Sequence, residues 1–101
     1  VIVSISSLLG SIGANDSGGQ YAYRSSKAAL NSVNKSLSVD LARKRIVSIV
    51  ISPGWVRTDM GGPEAPVDPV DSVAGIHNVI EGVTVDDSGK FFNYDGALID
   101  W

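Results

Sequence analysis

An α/β fold built on a parallel sheet is what this sequence of 101 residues predicts, and three observations predict it. Two short apolar runs, "VIVSIS" at residues 1–6 and "IVSIVI" at 46–51, have the β-branched character of strands buried on both faces. A helical pattern fills the interval between them, from about Tyr21 to Arg43. Strand, helix and strand in that order mark the crossover that joins parallel strands, and such crossovers are right-handed as a rule.

Each element has a local reason. The first strand ends at a run of Gly, Ser and Asn, from about Ser7 to Gln20, which reads as a loop. In the helix that follows, Tyr23, Lys27, Leu30, Asn34, Leu37 and Leu41 share one stripe flanked by Val33, with Arg24, Ser25, Ala28, Ser32, Lys35 and Arg43 opposite. The second strand stops at Ser52-Pro53-Gly54, where proline removes a donor and glycine permits a sharp turn. A loop rich in proline and glycine leads to a shorter helix with Asp68 as N-cap, Pro69 at N1 and Asp71 near N3. Val70, Val73, His77 and Ile80 follow at helical spacing, so His77 is expected to pack rather than to ligate. "GKFFNYDG" at 89–96 predicts a third strand that closes on an Asp-Gly turn.

Composition narrows the function classes. The net charge of −3 argues against a binder of nucleic-acid backbones, and Arg43-Lys44-Arg45 reads as a complement to the negative pole of the long helix. With no cysteine and one histidine, neither a disulfide framework nor a thiolate metal site is available. No apolar run reaches the ~20 residues that span a membrane. The apolar start has no basic region before it, so no secretion signal is read and a cytoplasmic location is expected. Beginning on a strand-like run without Met, the sequence is expected to be a fragment of a longer chain.

The chemistry gathers at "GGQYAYRSSKAALNSV", residues 18–33. Positions i and i+4 are helical neighbours, so the Lys27 ammonium reaches the surroundings of the Tyr23 hydroxyl. A free phenol titrates near ~10, and a nearby ammonium stabilises its ionised form. A tyrosine in such company can exchange a proton with a carbonyl or hydroxyl while hydride moves. A third group must hold the substrate oxygen. Ser7 stands at the tip of the first strand, where parallel sheets place ligands. Tyr-x-x-x-Lys alone is a common accident, but a Ser-Ser strand tip, a glycine-bearing loop, this helix, a second strand and Pro-Gly-x-x-x-Thr form a specific combination.

"SISSLLGSIG", "YAYRSSKAALN" and "ISPGWVRTDMGGP" resemble the C-terminal half of short-chain dehydrogenases/reductases. The likeness is nearest to the sniffer-like and C-factor-like carbonyl reductases, whose chains similarly end in a "GKFFNYDG…W" tail. The resemblance spans essentially the whole sequence. It implies the C-terminal part of a doubly wound, Rossmann-like parallel sheet, with about three strands and two helices present. It also implies an NAD(P)-dependent oxidoreductase acting on a small-molecule carbonyl or alcohol, with NADP favoured over NAD by the resemblance alone. Tyr23 would be the acid/base, and Lys27 would favour its ionised form while binding the nicotinamide ribose. Ser7 would orient the substrate carbonyl in preference to its neighbour Ser6, since alternation along a strand lets only one point into the site. Pro53 and Gly54 would wall the nicotinamide, and the Val56 backbone and Thr58 hydroxyl would hold its carboxamide. A homodimer through the 21–43 helix is a further implication.

The pattern also departs from the family. No glycine-rich turn for pyrophosphate occurs, and neither the tetrad asparagine nor the residue that selects NAD or NADP is present. Residues 1–101 therefore read as the catalytic and substrate half of one domain whose dinucleotide-binding half is missing, inactive in isolation. A non-enzymatic module, a truncated paralogue that keeps the long helix as an interaction surface, is the alternative. Bland roles stand beside the sharp ones: Tyr21 as packing or cleft lining, Thr58 as a turn cap, Trp55 and Met60 as loop aromatics and apolars covering a core or lining a substrate pocket.

Overall fold

In the computed structural model, which describes residues 1–101, β1 (Ile2–Ile5), β2 (Ser48–Ser52) and β3 (Phe91–Asn93) pair in parallel in the order β1-β2-β3. The outer edge of β1 has no neighbouring strand. Register sorts the side chains into two layers. Val3 pairs with Ile49, and Ile5 with Ile51, which pairs in turn with Phe92, so these share one face. Ser4 pairs with Val50 and Val50 with Phe91, on the other face.

The two faces are covered by different chemistry. Helix α2 (Pro69–Gly82) lays Ile76, Val79 and Ile80, together with Val83 beyond its end, on a cluster of Val47, Ile49, Ile51 and Phe92. Each such side chain contributes on the order of 1.5–3 kcal/mol when fully buried. Helix α1 (Tyr21–Asp40) covers the opposite face through polar groups. Its buried residues are Asn31, Asn34 and Ser38, and the Asn34 amide reaches Ser4 Oγ at 3.2 Å, Ser48 Oγ at 3.0 Å and the Ile49 carbonyl at 3.0 Å. Three buried oxygens along this side, Ser6 Oγ, Asn31 Oδ1 and Asn34 Oδ1, have no partner within the chain. Beside α1, Phe91 stacks on Trp101 with ring centroids 5.4 Å apart.

Both connections carry the chain the same way across the sheet, yet α1 and α2 lie on opposite faces. The two crossovers therefore have opposite hands, and one of them departs from the right-handed rule.

Several boundaries differ from the sequence reading. α1 stops at Asp40 and a separate 3-10 turn spans Ala42–Lys44, ending on Arg45 at φ 55°. Arg43-Lys44-Arg45 thus lies beyond the last turn of α1, not within it. β2 begins two residues late because that left-handed turn must first redirect the chain. The inner stripe of α1 includes Asn31 and Ser38, while Val33 faces solvent. In α2 the stripe is displaced: Val70, Val73 and His77 are exposed, and the inward residues are Ser72, Ile76, Val79 and Ile80. His77 is not a packing residue; its Nε2 lies 3.5 Å from Glu81 Oε1 at the surface. The cap was legible, since Asp68 accepts from the Val70 N–H at 3.0 Å with Pro69 at the helix start. β3 is shorter than expected and closes on a turn from Asn93 to Gly96, with Gly96 at φ 89°.

A capped 3-10 turn, Val85–Asp87, sets where β3 begins. Asp87 accepts from Lys90 Nζ at 2.8 Å and from the Thr84 N–H at 2.9 Å. The Lys90 hydrogen bond first, and the Thr84 N–H second, hold its carboxyl below the ordinary 3.8. A carboxylate depressed in the folded state stabilises fully above its unfolded value and loses that contribution as pH falls through the folded one. Urea midpoints of Asp87→Asn are therefore expected to fall less than those of the unsubstituted chain as pH drops below about 4. Parallel acid profiles would refute this.

Candidate active site

Parallel strands bring their C-terminal tips to one edge, and α1 begins at that same edge. At the tip of β1, Ser6 turns inward and is 3% exposed, whereas Ser7 is half-buried and caps a 3-10 turn, Leu8–Gly10. Ser7 Oγ accepts from the Leu9 N–H at 3.1 Å. Gly10 lets α1 approach: a Cβ there would lie 2.9 Å from Lys27 Cβ, and the Gly10 carbonyl accepts from Asn31 Nδ2 at 3.4 Å.

The loop enters α1 through three consecutive left-handed residues, Gly18, Gly19 and Gln20. A run of this kind suits glycine, and Gln20 in it is strained. Arg24 holds the loop in place: its guanidinium donates to the Gly19 and Gly18 carbonyls at 3.0 and 3.2 Å, to Ser17 Oγ at 3.2 Å and to the Leu9 carbonyl at 3.5 Å. One turn of helix then sets Tyr23, 37% exposed, beside Lys27. Lys27 Nζ sits 5.8 Å from the centroid of the Tyr23 ring and donates to the Ile5 carbonyl at 3.3 Å, which draws it to the β1 tip. No hydrogen bond joins the Tyr23 and Ser7 hydroxyls. Tyr21 is exposed and lines a groove of about 340 Å³ with Leu9, Ile12, Arg24 and Ala28, on another flank of the helix.

After β2 the chain turns sharply at Gly54, φ 83°, where a Cβ would lie 2.9 Å from the Tyr94 ring. The Pro53 carbonyl accepts from Ser72 Oγ at 2.7 Å. Val56 is half-buried and bridges to Val67, and its N–H donates to no acceptor in the chain. Thr58 is exposed; its Oγ1 accepts from the Gly61 N–H at 3.2 Å, the capping role. Trp55 and Met60 are exposed, with Trp55 Nε1 donating to the Gly61 carbonyl at 2.8 Å. The structure thus brings Tyr23 and Lys27 together and puts Ser7 and Pro53–Val56 on the same edge of the sheet, with Thr58 turned to its own loop. Ser52, Arg24 and Ser72 also shape this edge and were missed. Only Ser52 carried a signal, as a hydroxyl at a strand end before Pro-Gly.

The short chain dehydrogenase profile matches residues 1–67, a span that contains all of Ser7, Tyr23, Lys27 and Pro53–Thr58. The chain belongs to the short-chain dehydrogenase family. Among relatives, the chain is 47% identical over 100 residues to "C-signal" of Myxococcus xanthus, covering 99% of the chain and 60% of that protein. It is 36% identical over 101 residues to 1-hydroxy-2-glutathionyl-2-methyl-3-butene dehydrogenase of Rhodococcus sp. strain AD45, covering 96% and 45%. Among solved structures, the carbonyl reductase Sniffer of D. melanogaster matches with a TM-score of 0.95 and 50% identity, over 99% of the chain and 40% of that structure. An NADPH-bound carbonyl reductase from chicken fatty liver matches with a TM-score of 0.90 and 37% identity, over 99% and 42%. The chain thus spans about half the length of the curated relatives it matches. Its fold is the α/β, Rossmann-like part those structures share. No helix is long and apolar enough to cross a membrane, and no three His, Asp or Glu gather as a metal site.

Proposed function

We propose that these 101 residues are the catalytic and substrate half of an NAD(P)-dependent carbonyl reductase or alcohol dehydrogenase, completed by a dinucleotide-binding half in a longer protein. The observation that carries this reading is Lys27, held between the Tyr23 ring and the β1 tip. The NADPH-bound neighbour supports NADP as the cofactor.

The residues present suit the nicotinamide end of a dinucleotide. The Val56 N–H is uncommitted, as a carboxamide acceptor requires, and Pro53–Gly54 makes a wall with no side chain at Gly54. Lys27 offers an ammonium to the ribose. When bound, the nicotinamide supplies or takes the hydride. In the direction of reduction, the Tyr23 hydroxyl gives its proton to the carbonyl oxygen, and Lys27 offsets the negative charge left on the phenol. Ser7 Oγ accepts from Leu9, which leaves its own hydrogen free to donate to that same oxygen. Small residues on the outside of α1, such as Ser25 and Ser32, suit a homodimer through this helix; sedimentation of the full-length protein as a monomer would remove that part.

The test has two arms. Calorimetric titration of the isolated chain with NADPH should give no micromolar binding, because pyrophosphate has no glycine-rich turn to dock on. The full-length protein that carries these residues should oxidise NADPH when offered small aldehydes and ketones. Micromolar binding by the chain alone would refute its dependence on a second half; no carbonyl-dependent oxidation by the full-length protein would refute the activity.

A further inference from the structure

We infer that Ser52 is a positioning residue of this site, an inference that rests on the reductase reading above: its hydroxyl fastens the β1 tip, where Ser7 stands, to the turn that would wall the nicotinamide. Ser52 is the last residue of β2 and 2% exposed. Its Oγ accepts from the Leu8 N–H at 3.2 Å and from the Gly54 N–H at 3.4 Å. Neither amide has another acceptor in the chain. A single oxygen with two lone pairs thus ties together two segments that sequence keeps far apart.

The two ends of this tie are not equally dependent on it. The Pro53–Gly54 turn is gripped independently, by Ser72 at the Pro53 carbonyl and by the Tyr94 ring against Gly54. On the β1 side, Arg24 and Asn31 reach the Leu9 and Gly10 carbonyls only at 3.5 and 3.4 Å, against 2.7 Å for the contact at Pro53, and the Leu8 N–H has only Ser52. Loss of the hydroxyl should therefore free the Ser7 tip and leave the cofactor wall nearly where it was. In kinetic terms, kcat should fall while affinity for NADPH stays.

Amide exchange on the 101-residue chain and steady-state kinetics on the full-length protein test this with Ser52→Ala and Ser52→Thr. In Ser52→Ala the Leu8 amide should exchange about tenfold faster. The kcat should drop about tenfold, with the KM for NADPH within about twofold. Ser52→Thr, which keeps the oxygen, should restore most of both. Unchanged Leu8 exchange in Ser52→Ala overturns the inference. So does a KM for NADPH that rises in step with the loss of kcat, or an equal impairment in Ser52→Thr. Where Ser52→Ala does not fold, Ser52→Thr is set against the unsubstituted protein, and a roughly tenfold rise in its Leu8 exchange or a roughly tenfold fall in its kcat overturns the inference. A wild-type protein that reduces no carbonyl refutes the reductase reading, and the exchange data then judge the tie alone.

Discussion

Tyr23→Phe in the full-length protein is expected to lower carbonyl reduction by about 10²–10⁴-fold, the range that a positioned proton donor supplies. The substitution removes one oxygen and keeps the ring, so the Lys27 ammonium still lies against the aromatic face and still donates to the Ile5 carbonyl. NADPH affinity should accordingly stay within about threefold. The pair of measurements matters more than either alone. A loss of turnover with binding preserved assigns the hydroxyl to the chemical step; turnover retained in Tyr23→Phe would remove the acid/base assignment, and binding lost in parallel would recast Tyr23 as part of the cofactor's seat.

Phe91→Ala should cost about 3–5 kcal/mol, read as a shift in the urea midpoint of the isolated chain at neutral pH. Phe91 is 1% exposed, pairs from β3 with Val50 of the central strand, and stacks on Trp101. Truncation opens a cavity over the β3 side of the sheet and leaves the indole without its partner, which adds to the transfer cost. Set against a typical domain stability of about 5–15 kcal/mol, the loss takes a large share of what a chain this small has. A midpoint within error of the unsubstituted chain would show that the stack contributes nothing.

Much of this was legible in the residues because it rests on local rules. The β-branched runs declared two strands, and Asp68-Pro69 declared the start of α2 through capping chemistry that acts within one turn. Tyr23 and Lys27 were paired by helical spacing, which the backbone enforces. What escaped depends on partners distant in sequence. Asn31 and Ser38 lie on neither stripe read from the sequence, yet they are buried, Asn31 donating to the Gly10 carbonyl and Ser38 packed against Gly89. Val70 and Val73 read as core, but the direction in which α2 meets the sheet favours Ile76 and Val79. Ser52 touches Leu8 across 44 residues, a contact that no periodicity announces. Arg24 looked like one more charge on an outer stripe, and its role follows from where three left-handed residues carry the preceding carbonyls.

Leucine-faced helices can creep lengthwise over a sheet, since dispersion attraction has no direction and one methyl replaces another. An amide gripping two hydroxyls and a carbonyl admits no such drift, because sliding by a fraction of a turn would strand Asn34 among groups it no longer reaches. The phenol and amine at the other end of that rod inherit a fixed longitudinal coordinate. Mouth loops could then be reshaped while the Tyr23 hydroxyl keeps its distance from the strand ends.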